Sequence, residues 1–168
     1  MTCIALLGAE CTGKSTLTQA LAARGEVTVS EYLREWCLRE GRTPRREEQA
    51  AIAQEQQRRI DAAAASGAPR VIADTTALMT ALYSRHYFKD DSLLPFALQA
   101  QRRCALTVLC CPEGLPWQSD GFLRDGEATR LRIHAELQQL LDREGLAYDV
   151  LNGNFAARLE RLDRLLAG

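Results

Sequence analysis

The sequence predicts an α/β fold in which five parallel strands form one sheet with helices on both faces. Short apolar runs recur along the chain, and stretches with helical spacing of apolar residues separate them. Most of the runs lack the alternation of a half-exposed strand, which favours strands that are covered on both faces. Strands that alternate with helices form βαβ units, whose ligands gather at the carboxyl ends of the strands.

The predicted strands share a content rich in Val, Ile, Leu and Cys. They lie at 2–7, 26–30, 70–74, 105–111 and 147–151. Helical spacing predicts helices at 15–24, 44–66, 77–89, 93–103, 127–144 and 155–167, and a further helix follows the second strand. Thr43 and Pro44 predict the start of the helix at 44–66, because a hydroxyl caps a helix and proline fits its first turn.

Length, charge and cysteine content favour a single cytoplasmic domain over residues 1–168. A chain of 168 residues is long enough for one compact core. The net charge of −1 gives no long-range attraction to nucleic acid or anionic membranes, and no apolar stretch reaches the ~18 residues of a membrane span. The six cysteines form no C-x-x-C pair, so we expect reduced thiols. The oligomeric state stays open.

Residues 8–16, GAECTGKST, follow the first strand and open the first helix. Their Gly-x-x-x-x-Gly-Lys-Ser pattern is the Walker A motif in the strand-to-helix context that it requires. We therefore expect a P-loop NTPase that binds ATP and Mg²⁺, with backbone amides around the phosphates. The expected nucleotide-binding residues are Gly8, Ala9, Glu10, Cys11, Thr12, Gly13, Lys14, Ser15 and Thr16.

Lys14 is one of only two lysines among 21 basic residues, the other being Lys89. A compact ammonium on a flexible stem can follow a phosphoryl group during transfer, which the planar fork of arginine does poorly. Ser15 is expected to hold Mg²⁺ through its hydroxyl. Asp74, at the end of the third strand, is either a second Mg²⁺ ligand or the N-cap of the next helix.

Two missing motifs narrow the class of nucleotide protein. A switch GTPase would read guanine with Asn-Lys-x-Asp, but Phe88 precedes Lys89. Hydrolytic ATPases often end their third strand in Asp-Glu, whereas Thr75 follows Asp74. The first absence argues against a GTPase, and the second favours phosphoryl transfer to an acceptor hydroxyl, and therefore a small-molecule kinase. The alternative from another class is an ATP-sensing binding module that does little chemistry.

Carboxylates near the ends of the second and third strands are candidates for the base that accepts the acceptor's proton. Glu31 acts either as this base or as a plain cap of the following helix. Glu35 lies one helical turn further on, and Asp74 is a third candidate. Tyr32 and Trp36 share a helix face, where Trp36 is expected in the core and Tyr32 can stack on a planar substrate.

The segment 112–130 is too polar and too rich in glycine and proline for the core. Long loops of this kind are often lids over an active site. Arg124 or Arg130 is expected to reach over the phosphates and offset the charge of the transition state. Trp117 is either an anchor of the lid or an aromatic wall for the substrate.

Together these motifs resemble the nicotinamide riboside kinase domain of bacterial NadR-type proteins, and the likeness covers nearly the whole chain. The matching residues are Gly8, Glu10, Gly13, Lys14 and Ser15 in the phosphate loop, Glu31, Tyr32, Arg34 and Glu35 after the second strand, Asp74 and Thr75 after the third, and Pro116, Trp117, Asp120 and Gly121 in the lid. Two features depart from the family pattern. Cys11 replaces a serine, and the spacing from Asp120 to Arg124 is one residue longer.

The resemblance implies a nucleoside-kinase-like fold that uses ATP and Mg²⁺ to phosphorylate the ribose 5′-hydroxyl of nicotinamide riboside in NAD biosynthesis. Aromatic faces and carboxylates suit the flat pyridinium cation of this substrate. The expected substrate-binding residues are Tyr32, Arg34, Glu35, Trp117 and Asp120. The adenylyltransferase and DNA-binding segments of longer relatives have no counterpart here, so we expect the mononucleotide as product and no binding of DNA. A kinase for another nucleoside or for a vitamin alcohol such as thiamine is the alternative.

Overall fold

A computed structural model describes residues 2–121 and 125–167, and within them five parallel strands form one sheet in the order β2-β3-β1-β4-β5. The strands are β1 (Thr2–Leu7), β2 (Val27–Val29), β3 (Arg70–Asp74), β4 (Leu106–Cys110) and β5 (Asp149–Leu151). The helices are α1 (Lys14–Ala22), α2 (Tyr32–Glu40), α3 (Gln49–Ala64), α4 (Ala77–Phe88), α5 (Leu94–Gln101), α6 (Glu127–Arg143) and α7 (Phe155–Ala167). The predicted α/β fold and its five strands are confirmed.

Helices cover both faces of the sheet because successive side chains of a strand point to opposite faces. Ala5 and Leu7 of β1 belong to the core cluster formed with α3, α4, α5 and α6. Ile4 and Leu6 belong instead to the cluster formed with α1 and α7. None of the helices in the described part of the chain is long and apolar enough to cross a membrane.

The central position of β1 decides where a ligand can bind. β1 pairs with β3 on one side and β4 on the other, in a register that sets Leu6 opposite Asp74 and Leu7 opposite Leu109. The loop that leaves β1 therefore begins beside the carboxyl end of β3. In open α/β sheets, such carboxyl ends form the crevice in which ligands bind.

Helix α3 begins at Gln49, later than the predicted start at Pro44, and follows a 3-10 turn at Arg46–Glu48. Glu48 accepts hydrogen bonds from the backbone amide of Arg45 (2.7 Å) and from the guanidinium of Arg42 (2.6 and 2.8 Å). These bonds cap the 3-10 turn. Residues 41–45 therefore lie outside the helix and form an arm between α2 and the turn.

The Leu137→Ala substitution is expected to lower the free energy of unfolding by about 2–5 kcal/mol, because the removed side chain is fully buried and leaves a cavity in the core. Leu131, on the same helix, is 51% exposed and provides the matched control. Leu131→Ala is expected to change stability by no more than about 0.5 kcal/mol. Urea denaturation measures both, and equal losses would contradict the packing of α6 described above.

Candidate active site

A cavity of about 1280 Å³ opens at the carboxyl ends of the strands. Ligand pockets commonly measure about 300–1,000 Å³, so this one has room for a nucleotide and a small acceptor together. Its walls come from the phosphate loop, the start of α2, the arm before α3, the end of α4 and the segment after β4. Lining residues include Glu10, Cys11, Thr12, Gly13, Lys14, Ser15, Thr16, Glu31, Arg34, Arg42, Arg45, Arg46, Tyr83, Tyr87, Phe88, Leu115, Gln118 and Asp125.

The phosphate loop has a backbone conformation that restricts its residues. Cys11 and Gly13 adopt left-handed conformations, with φ of 52° and 78°. A Cβ atom added to Gly8 would lie 2.6 Å from the carbonyl oxygen of Cys110 in β4. This close approach of two backbones excludes a side chain at residue 8, which explains the first glycine of the motif.

Lys14 lies at the start of α1 with its ammonium turned back onto the phosphate loop. Its Nζ donates to the carbonyl oxygens of Gly8 and Ala9, both at 2.9 Å. The Thr12 hydroxyl donates to the Ala9 carbonyl at 2.8 Å. Ser15, the next residue, is exposed and lines the cavity. The sequence placed both Lys14 and Ser15 at this loop, as found.

Arg130 does not extend over the cavity, which corrects the lid role that the sequence predicted for it. It lies in the first turn of α6, because the helix begins at Glu127, and its side chain is buried. The guanidinium donates to the carbonyl oxygens of Cys11 (3.1 Å) and Leu115 (3.0 Å) and to the Glu127 carboxylate. The irregular segment after β4 therefore ends at residue 126 rather than 130. Arg124, the other lid candidate, lies outside the described residues.

Arg158 of α7 is a second buried arginine behind the phosphate loop, and the sequence analysis missed it. Its guanidinium donates to the backbone carbonyls of Thr12, Glu113, Leu151 and Gly153. Burial lowers the pKa of Arg158, although an arginine stays charged in proteins. A signal was present, since Arg158 lies one turn from the buried Leu162 on the apolar stripe of α7.

Glu31 precedes α2 in an extended conformation and makes no capping hydrogen bond, which excludes the plain cap role. The exposed part of its side chain lines the cavity. Burial raises the pKa of Glu31, the nearby charges of Asp74 and Glu10 raise it further, and those of Lys14 and Arg34 oppose the shift. A carboxylate with a raised pKa is a stronger base, as proton abstraction requires.

Asp74 is buried at the end of β3, and its Oδ1 has no hydrogen-bond partner among the described residues. The N-cap of α4 is Thr76, whose hydroxyl accepts from the Leu78 amide at 3.3 Å, so Asp74 is not the cap. Thr75 between them has φ of 66°, a left-handed conformation that is an outlier for a β-branched residue. Such strain costs about 1–3 kcal/mol and gathers at functional sites.

Glu35 and Tyr32 do not line the cavity, which corrects two expectations. The Glu35 carboxylate binds the guanidinium of Arg59 at 2.5 and 3.0 Å, which lowers the pKa of Glu35. The same guanidinium lies 4.3 Å above the centre of the Tyr32 ring. The helical spacing failed because Glu31 stands before the helix in extended backbone, so Glu35 does not share its face. Trp36 is buried in the core, as predicted.

Contacts with the phosphate loop and with α2 hold the segment after β4 against the rest of the site. The Trp117 indole donates to the Glu10 carboxylate at 3.2 Å, which favours the role of anchor over that of a substrate wall. Arg34 of α2 forms an ion pair with Asp120 at 2.5 Å. Arg34 and Asp120, both expected at the acceptor, are therefore brought together.

An aromatic wall at the end of α4 was missed by the sequence analysis. Tyr83 and Tyr87 stack with ring centroids 6.4 Å apart, and Phe88 lines the cavity beside them. The Tyr87 hydroxyl donates to Asp125 at 2.5 Å. The spacing of four residues between the tyrosines was the available signal, because it sets both rings on one face of a helix.

The sequence matches the family model described as AAA domain over residues 3–158. The chain belongs to the AAA domain family. Membership of this family agrees with the order of β1, the phosphate loop and α1 in the structure. No curated protein has a significantly similar sequence.

This AAA domain shares its fold with several solved structures. A NadR protein in complex with NR is 21% identical with a TM-score of 0.79; the match covers 99% of this chain and 50% of that one, so the present chain spans about half its length. Deoxyadenosine kinase from M. mycoides is 12% identical with a TM-score of 0.66, over 99% of both chains. Shikimate kinase from Bacteroides thetaiotaomicron is 17% identical with a TM-score of 0.51, over 99% of both. At these identities the likeness establishes the fold alone, which is that of P-loop kinases.

The Arg158→Met substitution is expected to lower the free energy of unfolding by about 2–4 kcal/mol, because it removes the donor to the carbonyl groups of Thr12, Glu113 and Gly153. Arg161, on the exposed side of the same helix, pairs only with Asp149 among the described residues and provides the control. Arg161→Met is expected to cost no more than about 1 kcal/mol. Chemical denaturation compares the two variants, and equal losses would refute the structural role of Arg158.

Proposed function

We propose that this chain is an ATP-dependent kinase that phosphorylates the ribose 5′-hydroxyl of nicotinamide riboside to give nicotinamide mononucleotide. One observation carries the proposal. A single cavity joins Lys14 and Ser15 of the phosphate loop to the carboxylate of Glu31 and to an aromatic wall. Phosphoryl transfer to a hydroxyl requires residues that bind the phosphates, a base for the hydroxyl proton and a surface that orients the acceptor.

The nucleotide half of the cavity suits a polyphosphate. In the proposed complex the Lys14 ammonium leaves the carbonyls of Gly8 and Ala9 and follows the transferred phosphoryl group. Ser15 and Asp74 would hold Mg²⁺, since both offer oxygen atoms and the buried Oδ1 of Asp74 has no partner in the described part of the chain. Bound Mg²⁺ offsets charge on the phosphate oxygens.

The acceptor half suits a flat nucleoside. We propose that Glu31 accepts the proton of the attacking hydroxyl, while the stacked rings of Tyr83 and Tyr87 face the planar part of the acceptor. Arg34 and Asp120 would bind its polar groups. The fold likeness to NadR in complex with NR supports nicotinamide riboside, whose pyridinium is a flat cation. NadR has also been solved with AMP-PNP, which supports ATP as the donor.

We further propose that residues 1–168 form one kinase domain whose lid is the segment after β4. The contacts from Trp117 to Glu10 and from Arg34 to Asp120 support this assignment, because they set the segment beside both halves of the cavity. Arg124 stays a candidate for charge compensation at the transition state.

With Mg-ATP, the wild-type chain is expected to convert nicotinamide riboside to its mononucleotide, and Lys14→Ala is expected to lower kcat by about 10²–10³-fold because the charge on the transferred phosphoryl group loses its partner. Lys89→Ala removes the other lysine, which is exposed at the C-cap of α4 and does not line the cavity, and should retain full activity. Coupled ADP release measures turnover, with uridine, thymidine and thiamine as competing acceptors. Turnover with one of these alone would reassign the acceptor, and no turnover with any would refute a kinase.

The Glu31→Gln substitution is expected to lower kcat by about 10²–10⁴-fold by removing the base. In the wild type, kcat should fall as the pH drops through the raised pKa of Glu31, since the protonated carboxyl cannot accept a proton. The acid limb should therefore lie above the usual glutamate value of about 4.3. A profile of kcat between pH 4.5 and 8 tests this, and a kcat that is still above half of its plateau at pH 4.5 would contradict it.

Stability provides the control for Glu31→Gln. A raised pKa means that the folded state holds its proton to higher pH than the unfolded chain. Stability therefore falls as the pH rises from the usual glutamate pKa to the raised pKa of Glu31, and the loss is complete above it. The variant should therefore be more stable than the wild type at pH 8, and should show no such gain below the usual glutamate pKa. Lost activity then reflects lost chemistry rather than unfolding.

A further inference from the structure

Gln56 is a buried side chain of α3 whose carboxamide joins two loops of the active site. Its Oε1 accepts a hydrogen bond from the backbone amide of Tyr32 at 2.7 Å. Its Nε2 donates to the carbonyl oxygen of Ser30 at 3.3 Å and to that of Thr75 at 3.1 Å. Three backbone groups therefore depend on one uncharged side chain.

The bonded groups flank the two carboxylates of the site. Ser30 and Tyr32 are the residues immediately before and after Glu31, so Gln56 holds the backbone on both sides of it. Thr75 immediately follows Asp74. Because β2 and β3 are neighbours in the sheet, the loops that leave them are close enough for one carboxamide to bind both.

The backbone conformation of Thr75 makes its hydrogen bond from Gln56 important for the site. Its left-handed backbone is strained for a β-branched residue, and its buried hydroxyl has no partner among the described residues. A strained residue persists only where its surroundings fix it. The hydrogen bond from Gln56 to the Thr75 carbonyl is one such restraint, and it acts directly after Asp74.

We propose that Gln56 is a positioning residue, which holds Glu31 and Asp74 in the relative placement that phosphoryl transfer requires. This inference rests on the kinase function proposed above. Only an amide fits the three bonds, since it offers an acceptor and a donor group at one end without charge. Methionine has neither the amide donor nor the amide acceptor. Glutamate keeps the acceptor, but its second oxygen would face the carbonyl oxygens of Ser30 and Thr75, which are acceptors too.

Gln57 provides a matched control at the next position of the same helix. It is also buried, but its Nε2 donates to Asp61 one turn along α3, and it does not line the cavity. Gln57→Met thus removes a glutamine bond of similar burial without touching the loops after β2 and β3. The comparison separates loss of helix packing from loss of positioning.

The experiment compares Gln56→Met with Gln57→Met in the full chain. Gln56→Met is expected to lower kcat at least 10-fold while the Kd for a nonhydrolysable ATP analogue, measured without Mg²⁺ so that Asp74 takes no part, changes less than twofold, because the phosphate loop is held by other residues. Gln57→Met should change neither by more than twofold. Should Gln56→Met fail to fold, Gln56→Glu replaces it with the same expected split. A kcat within twofold of the Gln57→Met control would overturn the inference.

A second measurement does not depend on the acceptor. NMR titration of the Glu31 carboxyl follows its pKa, which reflects burial and the charges of Lys14, Arg34, Asp74 and Glu10. In Gln56→Met the freed backbone should let this carboxyl reach solvent and move its pKa toward the usual value, whereas Gln57→Met should leave it unchanged. No turnover by the wild type would refute the kinase alone; an unchanged Glu31 titration in Gln56→Met would refute the positioning role.

Discussion

The conformation of the phosphate loop depends on side chains that donate hydrogen bonds to its carbonyl groups. Within the described part of the chain, such donors bind the carbonyls of residues 8, 9, 11 and 12. The first two are bound by the Lys14 ammonium, and the others by the guanidinium groups of Arg130 and Arg158. Helices α6 and α7, distant in sequence, therefore fix the conformation of a loop that joins β1 to α1.

Besides their hydrogen bonds, these donors bring positive charge close to the phosphate loop. Among the residues that the structure describes, Arg158 donates to backbone carbonyls only, so peptide dipoles rather than a carboxylate compensate its buried positive charge there. A cation in this position adds to the positive potential that the amides of the loop and the N-terminus of α1 present to an anion. Arg130 contributes less, because its charge is paired with Glu127.

Most of the fold could be predicted from the sequence because buried apolar residues recur with the spacing of a strand or a helix. β1 and β4 are apolar along nearly their whole length since both faces are covered, and α7 shows its stripe plainly. The strand order could not be predicted, because a crossover of the same length can reach either side of β1. The start of α3 was misjudged because the side chain of Glu48 outweighed the capping signal at Thr43.

Some residues of the candidate site could likewise be predicted from the sequence, and others could not. Lys14, Ser15, Glu31 and Asp74 could be found from local sequence, since a motif or a strand end marks each of them. Arg158 and Gln56 lie within helices and gain their roles from backbone groups far along the chain. Tyr83 and Tyr87 have helical spacing, but the sequence does not show that their side of α4 lines the cavity. Arg130 was assigned to a lid because its sequence neighbourhood is polar, yet tertiary packing buries it.

The backbones of Gly114 and Gly153 touch, since a Cβ atom on Gly114 would lie 2.6 Å from Gly153. Together with the bonds to the carbonyls of Glu113 and Leu115, this contact ties the beginning of the segment after β4 to α6 and α7. Leu115 ends this anchored stretch, and its side chain lies against Gly13 of the phosphate loop. The start of the segment is therefore fixed relative to the phosphate loop, because α6, α7 and the loop itself all contact it.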